Sequence, residues 1–325
     1  MKVITTILAI FGASALLTLG GCASERVQQL TFDSPEDAVQ ALLYAASGEE
    51  PGYGKKLFGP EVDELSSGDP EVDRYEKTLF AEAVLRKHEL SKQPDGSYDI
   101  LVGNKGNAFP IPLVEVDGRW MFDTLDGIDR LTDIRVGYNE LETIQALRAI
   151  ALAQQQYHAQ DRNDDGVQEY AARIRSATGT HDGLYWPTGP NEPNSPLGMF
   201  YTRGETPDSQ SLGYNGYFYK LLDSQGAAAK GGAKSYRDSA GRLVNGYGVL
   251  AYPAVYDETG VMTFIMSTDG VIYQKDLGAS DTENAVKRIT TFDPGAGWDV
   301  VDEQSLSDAE RIDRRPPGSA FAAVE

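Results

Sequence analysis

The sequence predicts an α+β protein built as two successive units, each with helices ahead of an antiparallel sheet. Capped stretches with apolar residues at helical spacing start near Ser34, Pro70 and Asn139. Runs of apolar and aromatic residues close on Asp117-Gly118 and Asp269-Gly270, both strong hairpin turns. The order, helices and then strands twice over, is that of an α+β protein. A chain of 325 residues with 41% hydrophobic residues has enough material for two cores.

In the first unit, Ser34 caps a helix with Pro35 at its first position, and Ala38, Leu42 and Leu43 form its stripe before Gly48. After a turn at 65–71, a second helix carries Val72, Tyr75, Leu79 and Val84 to about His88. Strands follow at 98–102, 109–116 and 119–123, with Pro110 and Pro112 pushing the middle strand to a sheet edge. The charges of Asp126, Asp129, Arg130, Asp133 and Arg135 mark 126–138 as a linker. Asn139 then caps a long helix with Leu141, Ile144, Leu147, Ile150 and Tyr157 on one side, too polar to cross a membrane. An acidic loop at 161–170 and a second short helix come next, followed by a Pro/Gly-rich loop at 187–198. Strands at 214–222, 247–252, 261–267 and 271–275 complete this unit. The units are therefore 31–125 and 139–300, and the charged, Pro-Pro-containing 301–325 reads as a disordered tail.

Residues 1–21 have the layout of a secretory signal, with basic Lys2 ahead of an apolar and small-residue stretch. The segment ends in Leu19-Gly20-Gly21-Cys22, which resembles the lipobox of bacterial lipoproteins. That resemblance implies acylation of Cys22, a lipidated linker at 22–30 and membrane attachment through the N-terminal lipid. Three acyl chains anchor stably, since each buried methylene contributes roughly 0.8 kcal/mol. Ala23 stands where an Asp would resemble the inner-membrane retention signal, so the resemblance favours the outer membrane, periplasmic face. Cys22 is the only cysteine, which removes disulfides and thiol chemistry from the mature chain. A formal net charge of -20 repels phosphate backbones and argues against nucleic acid as a partner.

The helices, meander and Val-Asp-Gly-Arg-Trp hairpin of 31–125 resemble the cone-shaped fold of nuclear transport factor two. Asn139-Glu140, Thr143 to Ile150 and Asp269-Gly270-Val271-Ile272-Tyr273 carry a resemblance to the globular heads of type IV pilins and type II pseudopilins. The chain departs from pilins in having a whole unit where their polymerising apolar helix stands. Five strings in order, Phe32 to Val39, Leu65 to Pro70, Phe109 to Val114, Asp182 to Pro187 and Ser195 to Gly198, are similar to a bacterial family catalogued as domain of unknown function 2950. That similarity implies export and an envelope setting, and brings no catalytic residues.

Asp161, Asn163, Asp165 and Gly166 reproduce the D-x-N-x-D-G opening of a calcium loop, in which alternate oxygens converge because the glycine permits a sharp turn. Val167 would add a carbonyl and Glu169 a carboxylate, but Ala172 stands where a bidentate Glu is expected. Such a site would bind Ca²⁺ at about 10⁻⁴ to 10⁻³ M. The same residues also suit a helix-terminal turn followed by an Asx cap. His181 beside Asp182 suggests acid–base chemistry, although neighbours in sequence rarely face one another, and Leu184, Tyr185 and Trp186 read as a core anchor. The tyrosines of the second unit fit sheet packing and, alternatively, a glycan-stacking surface. Two functions remain open: a non-catalytic module binding an envelope protein or wall component, and a periplasmic hydrolase acting on wall or glycan through paired carboxylates.

Overall fold

The computed structural model describes residues 28–65, 70–162, 165–189, 194–198, 213–279 and 282–302. Cys22, Asn163, the expected cap of the second helix at 66–69 and residues 303–325 lie outside the described residues.

Helix α1 (Pro35–Ser47) begins as its sequence dictates: the Ser34 hydroxyl accepts the Asp37 N–H at 3.1 Å, and Gly48 closes the helix at φ 72°. A short α2 (Tyr53–Phe58) and a 3-10 turn (Pro60–Leu65) follow, neither of which the sequence predicted. Helix α3 (Pro70–Arg86) leads into β1 (His88–Lys92), β2 (Tyr98–Val102), β3 (Asn107–Ala108), β4 (Leu113–Val116) and β5 (Arg119–Phe122). The sheet is antiparallel in the order β1-β2-β4-β5, with β3 beside β2. Asp117 and Gly118 both have positive φ, 52° and 74°, the pattern of a two-residue type I′ hairpin.

The strand expected at 109–116 is shorter, because Pro110 and Pro112 have no N–H for a ladder and β4 starts only after them. It then lies between β2 and β5, and not at the sheet edge. Phe109 and Ile111 still enter the first core, together with Leu42, Phe58, Phe80 and Phe122.

Helix α4 (Thr124–His158) runs 35 residues without a break. The residues expected to form a linker at 126–138 are therefore helical, and two of the charges that suggested a linker, Asp126 and Arg130, pair on the helix surface. Asp123 caps the first turn through the Asp126 N–H, and Arg130 pairs with Asp126 at 2.7 Å and with Asp99 of β2 at 2.8 Å. Gly127 lets the helix lie against Ile111, since a Cβ there would stand 2.7 Å from the Ile111 side chain. The beginning of α4, through Leu131, completes the first core, while Ile144, Leu147, Ile150 and Tyr157 belong to the second.

In the second unit, β6 (Arg173–Arg175) pairs in parallel with β7 (Gly183–Tyr185). This replaces the expected short helix: the buried Gln154 amide bonds the Ala171 backbone in both directions, and the chain leaves in extended form to pair with β7. The main sheet comprises β8 (Tyr217–Leu222), β11 (Gly248–Pro253), β12 (Met262–Ser267), β13 (Ile272–Asp276) and β14 (Asp299–Val300), in the antiparallel order β14-β13-β12-β11-β8. A small pair, β9 (Ser224–Gln225) with β10 (Lys234–Ser235), lies between β8 and β11 in sequence. Val249, Ala251, Phe264 and Met266 face α4, whereas Leu222, Leu250 and Ile265 face Val286 of α5 (Thr282–Arg288), Phe292 and Trp298. The sheet thus lies between two layers. Val301, the first residue of the expected tail, is tied down: it follows β14, which pairs with β13, and its N–H donates to the Ile272 carbonyl.

Two side chains in the middle of α4 hold the sheet. Asn139, read from sequence as a cap, instead donates its amide to the Thr259 carbonyl at 2.9 Å. One Glu140 carboxylate oxygen accepts the N–H groups of Val261 and Met262, each at 2.9 Å, at the start of β12.

Candidate functional site

The residues singled out from the sequence collect at the C-terminal end of α4, where the helix runs into the acidic loop. Asp161 accepts the Gly166 N–H at 2.8 Å across the loop, and Asp165 accepts the Val167 N–H at 2.9 Å as a local Asx turn. The other Asp165 oxygen meets the Arg242 guanidinium at 3.2 Å, and Arg242 also grips Asp238 at 2.8 Å. Hydrogen bonds donated to these two carboxylates hold the guanidinium firmly protonated. Arg242 therefore supplies a positive charge to the loop from 77 positions away in sequence.

Glu169 is the unusual acid of the group. Burial pushes its carboxyl above the ordinary value, nearby Asp165 and Asp238 push the same way, and Arg242 with a backbone N–H from Leu243 opposes them. Val167 and Glu169 are both partly covered. Among the described residues no three His, Cys, Asp or Glu side chains stand together as a metal centre would need.

An aromatic and cationic cluster lies beside the loop. The Arg162 guanidinium stands 5.5 Å from the Tyr157 ring and 5.7 Å from the Trp186 ring, within cation–π range. His181 stacks on Trp186 at 4.5 Å, and its carbonyl accepts the Tyr157 hydroxyl at 2.7 Å. Burial, with Glu169 adding to it, pushes the Tyr157 phenol up to about 12. His158 stacks on Tyr170 at 4.2 Å, and Tyr170 packs on Tyr247. His158 Nδ1 and Arg162 Nε are buried atoms without a hydrogen-bond partner.

His181 and Asp182 do not form an acid–base pair. The Asp182 carboxylate turns to Thr180 at 2.6 Å, the Ala177 N–H at 2.9 Å and Arg173 at 3.0 Å, while His181 faces Trp186. Burial opposes ionisation of Asp182, but these three partners together lower its pKa. Leu184 and Trp186 anchor the second core as the sequence suggested, and Tyr217, Tyr236 and Tyr247 are buried packing residues.

Sequence reasoning missed Gln154, Arg162 and Arg242. Gln154 sits in a polar run, Gln154-Gln155-Gln156, that reads as a solvated face, and nothing near Arg242 announces Asp165. For Arg162, the aromatic Tyr157 five positions earlier was the available signal.

These features define a two-core α+β protein with an acidic and aromatic cluster at the end of a shared helix. No helix among the described residues is long and apolar enough to cross a membrane. No curated protein and no solved structure matches the chain. Residues 29–301 match the model of the family described as protein of unknown function (DUF2950), and the chain belongs to that family. The match spans both cores and the whole of α4.

Proposed function

We propose that the mature protein is an exported lipoprotein, anchored through acylated Cys22 at the periplasmic face of the outer membrane, and that it acts as a binding or assembly module for an envelope protein or wall component. The observation that carries the binding part is α4, a single 35-residue helix whose two ends complete two separate cores. A body of that kind suits presentation of one surface at a fixed distance from another. Asp161, Asp165 and Asp182 are engaged by hydrogen bonds or ion pairs, which favours a structural use of these acids over a catalytic one.

Ca²⁺ enters this reading as a rival of Arg242 for Asp165. Calorimetric titration of the chain from Ala23 onward, beside an Asp161→Ala, Asp165→Ala double variant, tests it. Heat lost in the double variant establishes the metal, and no heat at millimolar calcium removes it. The anchor is tested separately: Cys22→Ser should leave the membrane fraction and lose acyl labelling, and persistence of either would refute the lipid.

One observation favours the hydrolase reading. Burial pushes the Glu169 carboxyl above its ordinary value, and Asp165 lies near enough to add to that shift, so two carboxylates stand close to one another. Release of fragments from cell-wall glycan by the purified protein, abolished in Glu169→Gln, would support that reading over the binding module.

A further inference from the structure

On the reading that Cys22 carries the lipid, we infer that the protein stands on the bilayer by the surface surrounding Gln29 and the start of α4, with the acidic loop at the membrane-distal end of the same helix. Gln29 is only seven positions beyond Cys22, and there the chain is already fixed to the body. The Gln29 amide donates to the Leu57 carbonyl at 3.1 Å and the Phe122 carbonyl at 2.7 Å. The Leu30 N–H donates to the Lys56 carbonyl at 2.8 Å, and Phe32 exchanges two backbone bonds with Trp120. Seven fully extended residues reach about 25 Å. That is less than the roughly 30 Å diameter of a small domain. So short a tether keeps the side that carries Gln29 nearest the lipid.

The surface brought to the bilayer is defined by what adjoins Gln29. Thr124, the first residue of α4, donates its hydroxyl to the Phe58 carbonyl at 2.6 Å, which ties the helix start to the segment that holds Gln29. Leu125 follows and is 63% exposed. On the other side stand Lys55 and Lys56, in exposed bridges with Asp63 and Glu50 that leave this patch locally balanced in charge. An exposed leucine beside a charge-balanced patch, in a chain of net charge -20, lets this side approach a bilayer with less repulsion than the net charge alone implies.

Helix α4 then measures the height. Its 35 residues span about 52 Å, from Thr124 to His158 at the mouth of the acidic loop. Leu152, 56% exposed, lies about 40 Å along the axis from Leu125.

The test uses the full-length acylated protein in vesicles containing lipids with headgroup nitroxides. Leu125→Cys and Leu152→Cys are each labelled with a fluorophore, the thioether at Cys22 leaving the introduced thiol as the free one. Emission should be lost at position 125 and retained at 152, and a Gly/Ser insertion after Ala23 that doubles the tether should restore emission at 125. Equal loss at both positions, greater loss at 152, or loss at 125 that survives the insertion would overturn the orientation and leave the anchor standing. Failure of the protein to float with vesicles, or labelling of Cys22 itself in the unsubstituted chain, would overturn the anchor and this inference with it.

Discussion

Gln154 is the side chain whose replacement should be felt most sharply at the candidate site. It is fully buried on α4, its Nε2 donates to the Ala171 carbonyl at 3.0 Å, and its Oε1 accepts the Ala171 N–H at 2.9 Å. Gln154→Leu keeps the volume nearly constant and removes the hydrogen-bond partners of both backbone groups of buried Ala171. Each orphaned backbone group costs about 1–3 kcal/mol, so the variant should lose about 2–6 kcal/mol. Urea denaturation of the chain from Ala23 onward measures the loss, with Gln155→Leu, at an exposed neighbouring position, as the control expected to change stability by less than about 0.5 kcal/mol. Because Ala171 ends the acidic loop, its amide should also exchange with solvent far faster in Gln154→Leu. A Gln154→Leu variant no less stable than the Gln155→Leu control would refute the assignment of Gln154 as the lock between helix and loop.

Two glycines of α4 should respond in opposite directions to the same substitution. At Gly137 nothing lies within 4 Å of an added Cβ, so Gly137→Ala should stabilise by about 0.5–1 kcal/mol; at Gly127 the Cβ meets Ile111, and Gly127→Ala should cost about 1–3 kcal/mol, both read as shifts in urea midpoint. Glu140→Ala removes the charged acceptor shared by Val261 and Met262 and should cost about 2–4 kcal/mol. Glu140→Gln keeps an oxygen there and should recover most of that loss; equal destabilisation by the two would argue against the hydrogen bonds. The raised pKa of Glu169 comes first from burial, then from Asp165, so the native state holds its proton to higher pH than the unfolded chain. Its contribution to stability is present at acid pH and is lost as pH rises above about 4.5. Glu169→Gln should flatten that part of the stability profile, and an unchanged profile would remove Glu169 as its source.

The second sheet was the most legible part of the sequence. Its strands are apolar and aromatic runs, Asp269-Gly270 pins the last pair, and each expected strand overlaps the observed one with ends differing by at most three residues. Helix α1 was equally plain, because Ser34, Pro35 and Gly48 act through local backbone chemistry. The start of α4 was misread because its first turns take their stability from Arg130 reaching Asp99 and from Gly127 lying on Ile111, contacts that no local pattern contains. The short helix expected after Tyr170 failed for a related reason: Gln154 claims the Ala171 backbone that a helix would have used. At the candidate site, the acidic residues were visible by type and spacing. Their positive partner, Arg242, was not, since pairing across 77 residues is decided by the fold.

That α4 belongs to both cores bears on the order in which the molecule forms. As the chain is made from its N-terminus, residues 29–123 can lay down the first sheet, but its core gains Leu131 and the Gly127–Ile111 seat only when the opening turns of α4 arrive. Docking those turns meets the nucleation cost that makes an isolated helix slow to start, a statistical weight of about 10⁻³. From there the helix lengthens by one hydrogen bond per residue, so Ile144, Leu147 and Ile150 are displayed on a started helix before β8 to β14 have been synthesised. The second sheet thus condenses onto a surface prepared by the first unit. A chain ending at residue 160 should already show the helical signal of all of α4, and a signal limited to its first turns would show that the second core, and not the first, completes the helix.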